Sequence, residues 1–461
     1  MNYSCEKKDH MNTCKFSYRH EMQIFFVLFV IGIFYRILTA DYISYGGDAM
    51  YKWFQVKRLL YGFDFTGWDK YYPTWNQHTS RWAINGVTYI FQYVFGTHPV
   101  VMYLCVFFMF SISLIFLFLI SLRINGVYFA TTSCLIYIFF PVMDAIGSQL
   151  LPGIFSITYM LIAIYFMILY VERDKFAFLF IHILFVFLAY SSKITSVFFI
   201  PIFMIFLYKK KKKSLPLMYA LSLIVLFFIE VTAFYFVSDG SLVLGKMSCI
   251  IQGHGRGGDI DLNHMFSFMT FFERWIKLPI SWKLLFFISL LSSLYILKKF
   301  RNSWISFIAV LCLCFVFFET FAIKSINPIK IAEPIRVRYL SVILPLMILM
   351  VNYVLCNIFL LQKSFIRKAV YVLLICAIPI LYFKEIHLVD NNIYKVYIDE
   401  KIINSSFENN KPEIFENKKK AYRYLYVFLK DNYVFSNSSG ELLMVKNSYN
   451  GTNNYYEIVR K

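Results

Sequence analysis

No disulfide framework and no metal-ligand spacing can be found in this sequence. Of its nine cysteines, Cys5 and Cys14 lie in the N-terminal tail and Cys249 in a polar loop. The other six (Cys105, Cys134, Cys312, Cys314, Cys356 and Cys376) fall in apolar runs, where cysteine packs as a small hydrophobe. The first apolar run follows a polar stretch and has no small-residue cleavage site after it, so it is expected to be a retained signal-anchor. An internal repeat, common in transporters with helices broken at the membrane midplane, is also missing. Acidic residues are few, 27 against 46 basic ones, giving a formal charge of +19. In a soluble protein that excess would suggest nucleic acid, but its distribution argues against such a partner.

The basic residues fall in clusters at every second loop. They are Lys7-Lys8 with Lys15 and Arg19, then Arg123, Arg173 with Lys175, Lys209 to Lys213, Lys298-Lys299 with Arg301, and Lys363 with Arg367-Lys368. This comb is the positive-inside pattern; it predicts a cytoplasmic N-terminus and an outward C-terminus. What the chain has in plenty is apolar surface. Its 461 residues are 59% hydrophobic and 20% aromatic, in runs long enough to cross a bilayer. The expected fold is an all-α polytopic membrane protein with eleven spans, at 21–40, 99–121, 125–143, 151–171, 176–190, 194–208, 214–237, 281–297, 303–323, 339–361 and 369–384. The fifth and sixth are short and read as a tilted or partly re-entrant pair.

This layout predicts a cytoplasmic tail at 1–20, a membrane domain at 21–384 and a small outward C-terminal domain at 385–461, with α/β character open. Outward loops at 41–98 and 238–280, a short basic one at 324–338 and the tail exceed the inner loops in length. Chemistry is therefore expected on the outer face, away from ATP and nucleotide sugars. Asp48, in Ser44-Tyr-Gly-Gly-Asp-Ala-Met-Tyr51, falls just beyond the first span. A helix from Asp48 aligns Ala49, Trp53, Val56 and Leu60 on one side and Asp48, Lys52 and Gln55 on another, and ends at Gly62. That is the pattern of an interfacial helix anchored by tryptophan. A second helix, Trp82 to Phe95, is too short to span and carries Asn85, Thr88 and Gln92 on one stripe before Gly96. The two read as a roof over a cavity. Gly253-His-Gly-Arg-Gly-Gly-Asp-Ile-Asp261 is glycine-rich but lacks the flanking strand and helix of a phosphate loop, so it reads as a flexible outer loop.

Four segments carry a family resemblance. They are Gly47-Asp-Ala-Met-Tyr51 with Leu59-Leu-Tyr-Gly62, then Tyr93-Val-Phe-Gly96, Lys193-Ile-Thr195 and Arg336-Val-Arg-Tyr-Leu-Ser-Val-Ile-Leu-Pro345. Over residues 21–361 the chain resembles the GT-C superfamily of polytopic glycosyltransferases, in particular the protein mannosyltransferase and lipid A aminoarabinose transferase branch. It departs where many members carry two adjacent acids, since Ala49 follows Asp48, and where an aspartate often precedes the fourth span, around Gln149 to Pro152, unless Asp144 fills that place.

The resemblance implies sugar transfer from a polyprenyl-phosphate donor to a glycan, lipid or protein acceptor on the outer face, by an inverting hexosyl- or pentosyltransferase. Asp48 would be the general base that takes the acceptor proton. Lys193, Arg336, Arg338 and Arg81 would hold the departing lipid phosphate, and Tyr51, Lys52, His78 and Tyr339 would contact substrate. Each has a plainer reading. Asp48 could cap a helix; Lys193, Arg336 and Arg338 could snorkel at span ends; and His78 and Arg81 could be a solvated helix start. Arg36 is expected to snorkel or to pair with Asp41, and Glu230 and Glu319 to be structural hydrogen-bonders or partners of an arginine. No cofactor is expected, with a divalent metal left open, and a bacterial inner membrane is the expected location. The alternatives are a lipid-linked oligosaccharide polymerase or flippase, or a transporter.

Overall fold

A computed structural model of the chain describes residues 14–40, 48–61, 80–141, 143, 146–210, 214–240, 242–244, 280–301, 303–320, 323–326, 329–331, 340–360, 369, 371, 373, 414–415, 443–449 and 454–460. These are mainly helical. Helix α1 is Cys14–Leu38, α2 Asp48–Tyr61, α3 Trp82–Phe95, α4 Pro99–Phe139, α5 Pro152–Arg173 and α6 Phe176–Ser192. A 3-10 segment, Ile194–Phe199, leads into α7, Ile200–Lys210. Then come α8, Leu215–Val237, α9, Ile280–Lys299, α10, Trp304–Thr320, and α11, Leu344–Leu355, which a 3-10 turn precedes and the π turn Cys356–Leu360 follows.

Five helices are long and apolar enough to cross a membrane, and Phe176–Ser192, Ile194–Lys209 and Trp304–Glu319 are shorter apolar helices. The protein is a multi-pass membrane protein. With 41 residues, α4 would run about 60 Å if straight, twice the hydrocarbon thickness. It does not run straight. Its helical path breaks at Asn125 (φ −151°, ψ 20°) and Gly126 (φ 82°, ψ −173°), giving the two expected spans with Arg123 beside the turn. Gly126 occupies a backbone region that a side chain would make costly. The α5–α6 connection is equally tight, with Asp174 in the left-handed conformation at the end of α5. All but the last of the eleven expected spans fall on helices; the last, 369–384, lies almost wholly outside the described residues.

The core lies where α5 packs against α4 and α6. Nearly every α5 side chain from Gly153 to Ile164 is buried, as befits a helix apolar all round. Helix α8 is the opposite case. Only Leu215, Tyr219, Glu230 and Phe234 are buried on it, while Leu217, Leu221, Val225, Phe228, Ile229 and Phe236 are exposed. On α3 the polar stripe of Asn85, Thr88 and Gln92 faces inward, and Tyr89, Ile90, Tyr93 and Val94 face outward. An apolar outer face suits a helix lying against lipid.

One expectation, that for Arg36, needs correction, and two segments gain detail. Helix α2 has the expected bounds, but Lys52, Gln55 and Lys57 are buried along with Ala49, Trp53 and Val56. Its polar side is covered by the protein as fully as its apolar one. Arg36 does not snorkel: it is fully buried, its guanidinium donates to the Ile138 carbonyl, and it lies 4.9 Å from the Tyr35 ring and 5.4 Å from the Phe110 ring. A carbonyl near the end of α4 and two ring faces offer the cation more than the lipid edge does. Asp41 lies outside the described residues. The basic loop after α10 contains an antiparallel pair, β1 Ile323–Ile326 and β2 Ile329–Ile331. In the C-terminal segment the described residues are β3 Ile414–Phe415, β4 Leu443–Tyr449 and β5 Asn454–Arg460, antiparallel in the order β3-β5-β4.

Candidate functional site

The α3 start, the α6 end and the turn after α6 meet at one end of the bundle. Arg81 precedes α3, and its carbonyl accepts from the Ile84 and Asn85 amides at 3.0 and 3.1 Å. The next residues are held from three directions. The Trp82 indole N–H donates to Glu230 Oε1 of α8 at 2.5 Å. The Tyr159 hydroxyl of α5 donates to the Ala83 carbonyl at 3.1 Å, and the Ala83 amide reaches Ser191 Oγ of α6 at 3.4 Å. The Trp82 ring packs 5.9 Å from Phe187 and against Phe234 and Leu242.

Lys193 is the corner between α6 and the 3-10 segment. Its extended backbone (φ −150°, ψ 116°) ends α6, its amide donates to the Ala189 carbonyl at 2.9 Å, and its carbonyl accepts from the Ser196 amide at 3.0 Å. Ser196 Oγ lies 2.7 Å from Ser156 Oγ of α5, which fixes the turn to the core. Gly153 lets this end close further, since a Cβ there would stand 2.8 Å from Ser341 Oγ. Lys193 itself is only 8% exposed. Burying an ammonium costs several kcal/mol unless polar groups answer it, and polar groups crowd this corner. Ser192 Oγ and Thr195 Oγ1 are buried with no hydrogen-bond partner among the described residues. These two hydroxyls flank the lysine in sequence and have hydrogen bonds still to make.

The first-loop helices join this end through one contact: Gln92 Nε2 of α3 donates to the Trp53 carbonyl of α2 at 2.9 Å. Asp48 is the first residue of α2 and Tyr51 lies one turn on, but their side chains lie outside the described residues. So do His78, Arg336, Arg338 and Tyr339 altogether. Lys52 is buried in α2, and Arg81 is half-buried at the α3 start. Among the predicted residues, the structure thus brings Arg81 and Lys193 to the same end. Sequence reasoning missed Trp82, Tyr159 and the Ser156–Ser196 pair. Trp82 carried a signal, an aromatic N–H opening a helix at the membrane edge; the serines carried none. Among the described residues no cluster of His, Cys, Asp and Glu could hold a metal.

Polar groups also meet at the opposite end, where Arg123 pairs with Glu172. Asn352 Nδ2 of α11 donates to Ser133 Oγ, Thr132 Oγ1 and the Phe129 carbonyl at 2.7, 2.9 and 3.2 Å. The Tyr371 hydroxyl lies 2.6 Å from Asn352 Oδ1 and 2.8 Å from Thr132 Oγ1. This cluster is uncharged and internally satisfied. It has the look of a fastener, and chemistry is not expected there.

Residues 79–235 match the family model described as dolichyl-phosphate-mannose-protein mannosyltransferase, a GT-C superfamily family. The match supports a membrane glycosyltransferase of the GT-C type. It runs from just before α3 almost to the end of α8, so it contains Trp82, Lys193 and Glu230 and stops short of Asp48 and Arg336. No curated protein matches the chain.

Proposed function

We propose that the protein transfers a sugar from a polyprenyl monophosphate carrier to an acceptor on the outer face of the membrane, with inversion at the anomeric carbon. The observation that carries this reading is the Lys193 corner, a buried ammonium between two hydroxyls without partners among the described residues, within the family-matched segment. In this reading Lys193, with Arg81, Arg336 and Arg338, holds the carrier phosphate and stabilises its charge as it leaves. Asp48 accepts the proton of the attacking acceptor hydroxyl. The C–O bond to the phosphate breaks as the bond to the acceptor oxygen forms, the proton passes to the Asp48 carboxylate, and the phosphate departs as polyprenyl phosphate. Lys52, His78, Tyr51 and Tyr339 contact donor or acceptor. The exposed aromatic face of α3, with Tyr89 and Tyr93 stacked at 6.2 Å, favours a helix against the lipid through which such a carrier arrives. The basic loop comb supports the outward assignment, and the Phe-, Ile-, Lys- and Asn-heavy residue usage favours a bacterial inner membrane.

The test is release of polyprenyl phosphate from a polyprenyl-phosphate hexose by purified protein in detergent, wild type against Asp48→Asn. Turnover by the wild type and its loss in the variant are expected. A wild type that binds no polyprenyl monophosphate would refute the donor assignment.

A further inference from the structure

Helix α8 touches the rest of the bundle sparingly among the described residues, and a side-chain hydrogen bond ties it near each end. Near its start the Tyr219 hydroxyl meets His182 Nε2 at 3.2 Å, while His182 Nδ1 bonds the Ala163 carbonyl at 2.8 Å. A carbonyl can only accept, so Nδ1 carries the proton and Nε2 accepts from Tyr219. Near its far end Glu230, 5% exposed, accepts from the Trp82 indole. The two ties differ in what they hold. The first joins helices within the bundle, whereas the second reaches across 148 residues of sequence to the residue that opens α3.

That residue sits next to Ala83, whose amide and carbonyl are bound to Ser191 and Tyr159. Ser191 is two positions from Lys193. A continuous chain of contacts therefore runs from Glu230 through Trp82 and Ala83 to Ser191 and the Lys193 corner. Phe187, Phe234 and Leu242 pack against the half-buried indole, so a carboxylate–indole bond there is partly removed from water and strengthened by that. We infer that Glu230 is a positioning residue: through Trp82 it fixes the start of α3 against the α6 end and so sets the geometry of the Lys193 anion site. This rests on reading that corner as the site of the donor phosphate, but the geometric part does not depend on the donor.

Two measurements separate the two claims. The first needs no ligand. In purified protein in detergent, with Cys5→Ser, Cys14→Ser and Cys249→Ser to remove competing thiols, Ser192→Cys is labelled with a hydrophilic maleimide. The labelling rate is expected to rise about tenfold when Glu230→Leu or Trp82→Phe is added. Adding Glu230→Gln, whose amide oxygen still accepts from the indole, should restore a rate near that of the parent. Combining Glu230→Leu with Trp82→Phe should add nothing, because both remove one bond. Equal rates in all these proteins, or additive effects of the pair, would overturn the inference. The second measurement is binding of a C20 polyprenyl monophosphate by native mass spectrometry, in proteins that keep Ser192. Glu230→Leu should weaken it about tenfold and Glu230→Gln about twofold or less. If labelling responds as expected but the wild type binds no polyprenyl monophosphate, the positioning role stands and the donor assignment falls. If Glu230→Leu binds the lipid as the wild type does and its labelling is unchanged, the positioning role falls.

Discussion

The two ends of the helical bundle hold polar clusters of opposite character. At the Asn352 end, neutral groups from α4, α11 and Tyr371 satisfy one another within hydrogen-bond distance. At the Lys193 end, a buried ammonium stands among hydroxyls of which two, on Ser192 and Thr195, have no partner among the described residues. Both clusters are costly to bury; among the described residues the first satisfies itself, whereas the second keeps two buried hydroxyls without a hydrogen-bond partner. A closed network marks a place where the chain needs to hold itself together. A cluster that keeps buried hydroxyls without a partner among the described residues still has hydrogen bonds to offer.

Substitutions can break this contrast in either direction. The largest effect is expected from Asp48→Asn, which keeps the volume and removes the base. Turnover should fall about a hundredfold to ten-thousandfold in a sugar-transfer assay, with the thermal unfolding midpoint unchanged. Next is the Asn352 end. Asn352→Leu removes the amide's hydrogen bonds to Ser133, Thr132 and Tyr371, so stability should drop by about 2–3 kcal/mol, read by thermal unfolding in detergent, while the KM for donor stays put. Lys193→Met should act on the ligand instead, weakening donor binding about thirtyfold, or roughly 2 kcal/mol. Lys193→Arg keeps the charge and should retain part of the binding; equal behaviour of the two would leave snorkelling as the better account of Lys193. Arg336→Ala and Arg338→Ala should each raise the KM for donor by about tenfold. The smallest effect is expected at Thr195: Thr195→Val removes a hydroxyl that bonds nothing in the described fold, so stability should move by no more than about 0.5 kcal/mol while donor binding weakens a fewfold.

Much of this arrangement was legible in the sequence where local rules decide it. The bounds of α3 follow from its apolar run and from Gly96, which takes φ 86° at the helix end; those of α2 follow from Asp48 and Gly62. The Asn85–Thr88–Gln92 stripe was readable because three- and four-residue spacing aligns side chains on one face. Long-range decisions were not readable. Nothing near Arg36 in sequence says that it will turn inward to the Ile138 carbonyl, 102 residues away. Lys52 and Lys57 look like the wet side of a surface helix until the fold covers them. Likewise Glu230 was legible as an intramembrane carboxylate near a span end, but its partner, Trp82, was set by packing alone. Lys193 was legible as a lone cation between short spans; the 3-10 segment that follows it and the Ser156–Ser196 tie were not.

The most direct measurement compares wild type, Lys193→Met and Asn352→Leu in one assay, the release of polyprenyl phosphate from a polyprenyl-phosphate hexose, at matched amounts of folded protein in proteoliposomes. With donor below its KM, the account predicts release about thirtyfold slower in Lys193→Met and close to the wild-type rate in Asn352→Leu. A Lys193→Met protein as fast as the wild type, or an Asn352→Leu protein that stays folded yet loses transfer to the same degree, would contradict it.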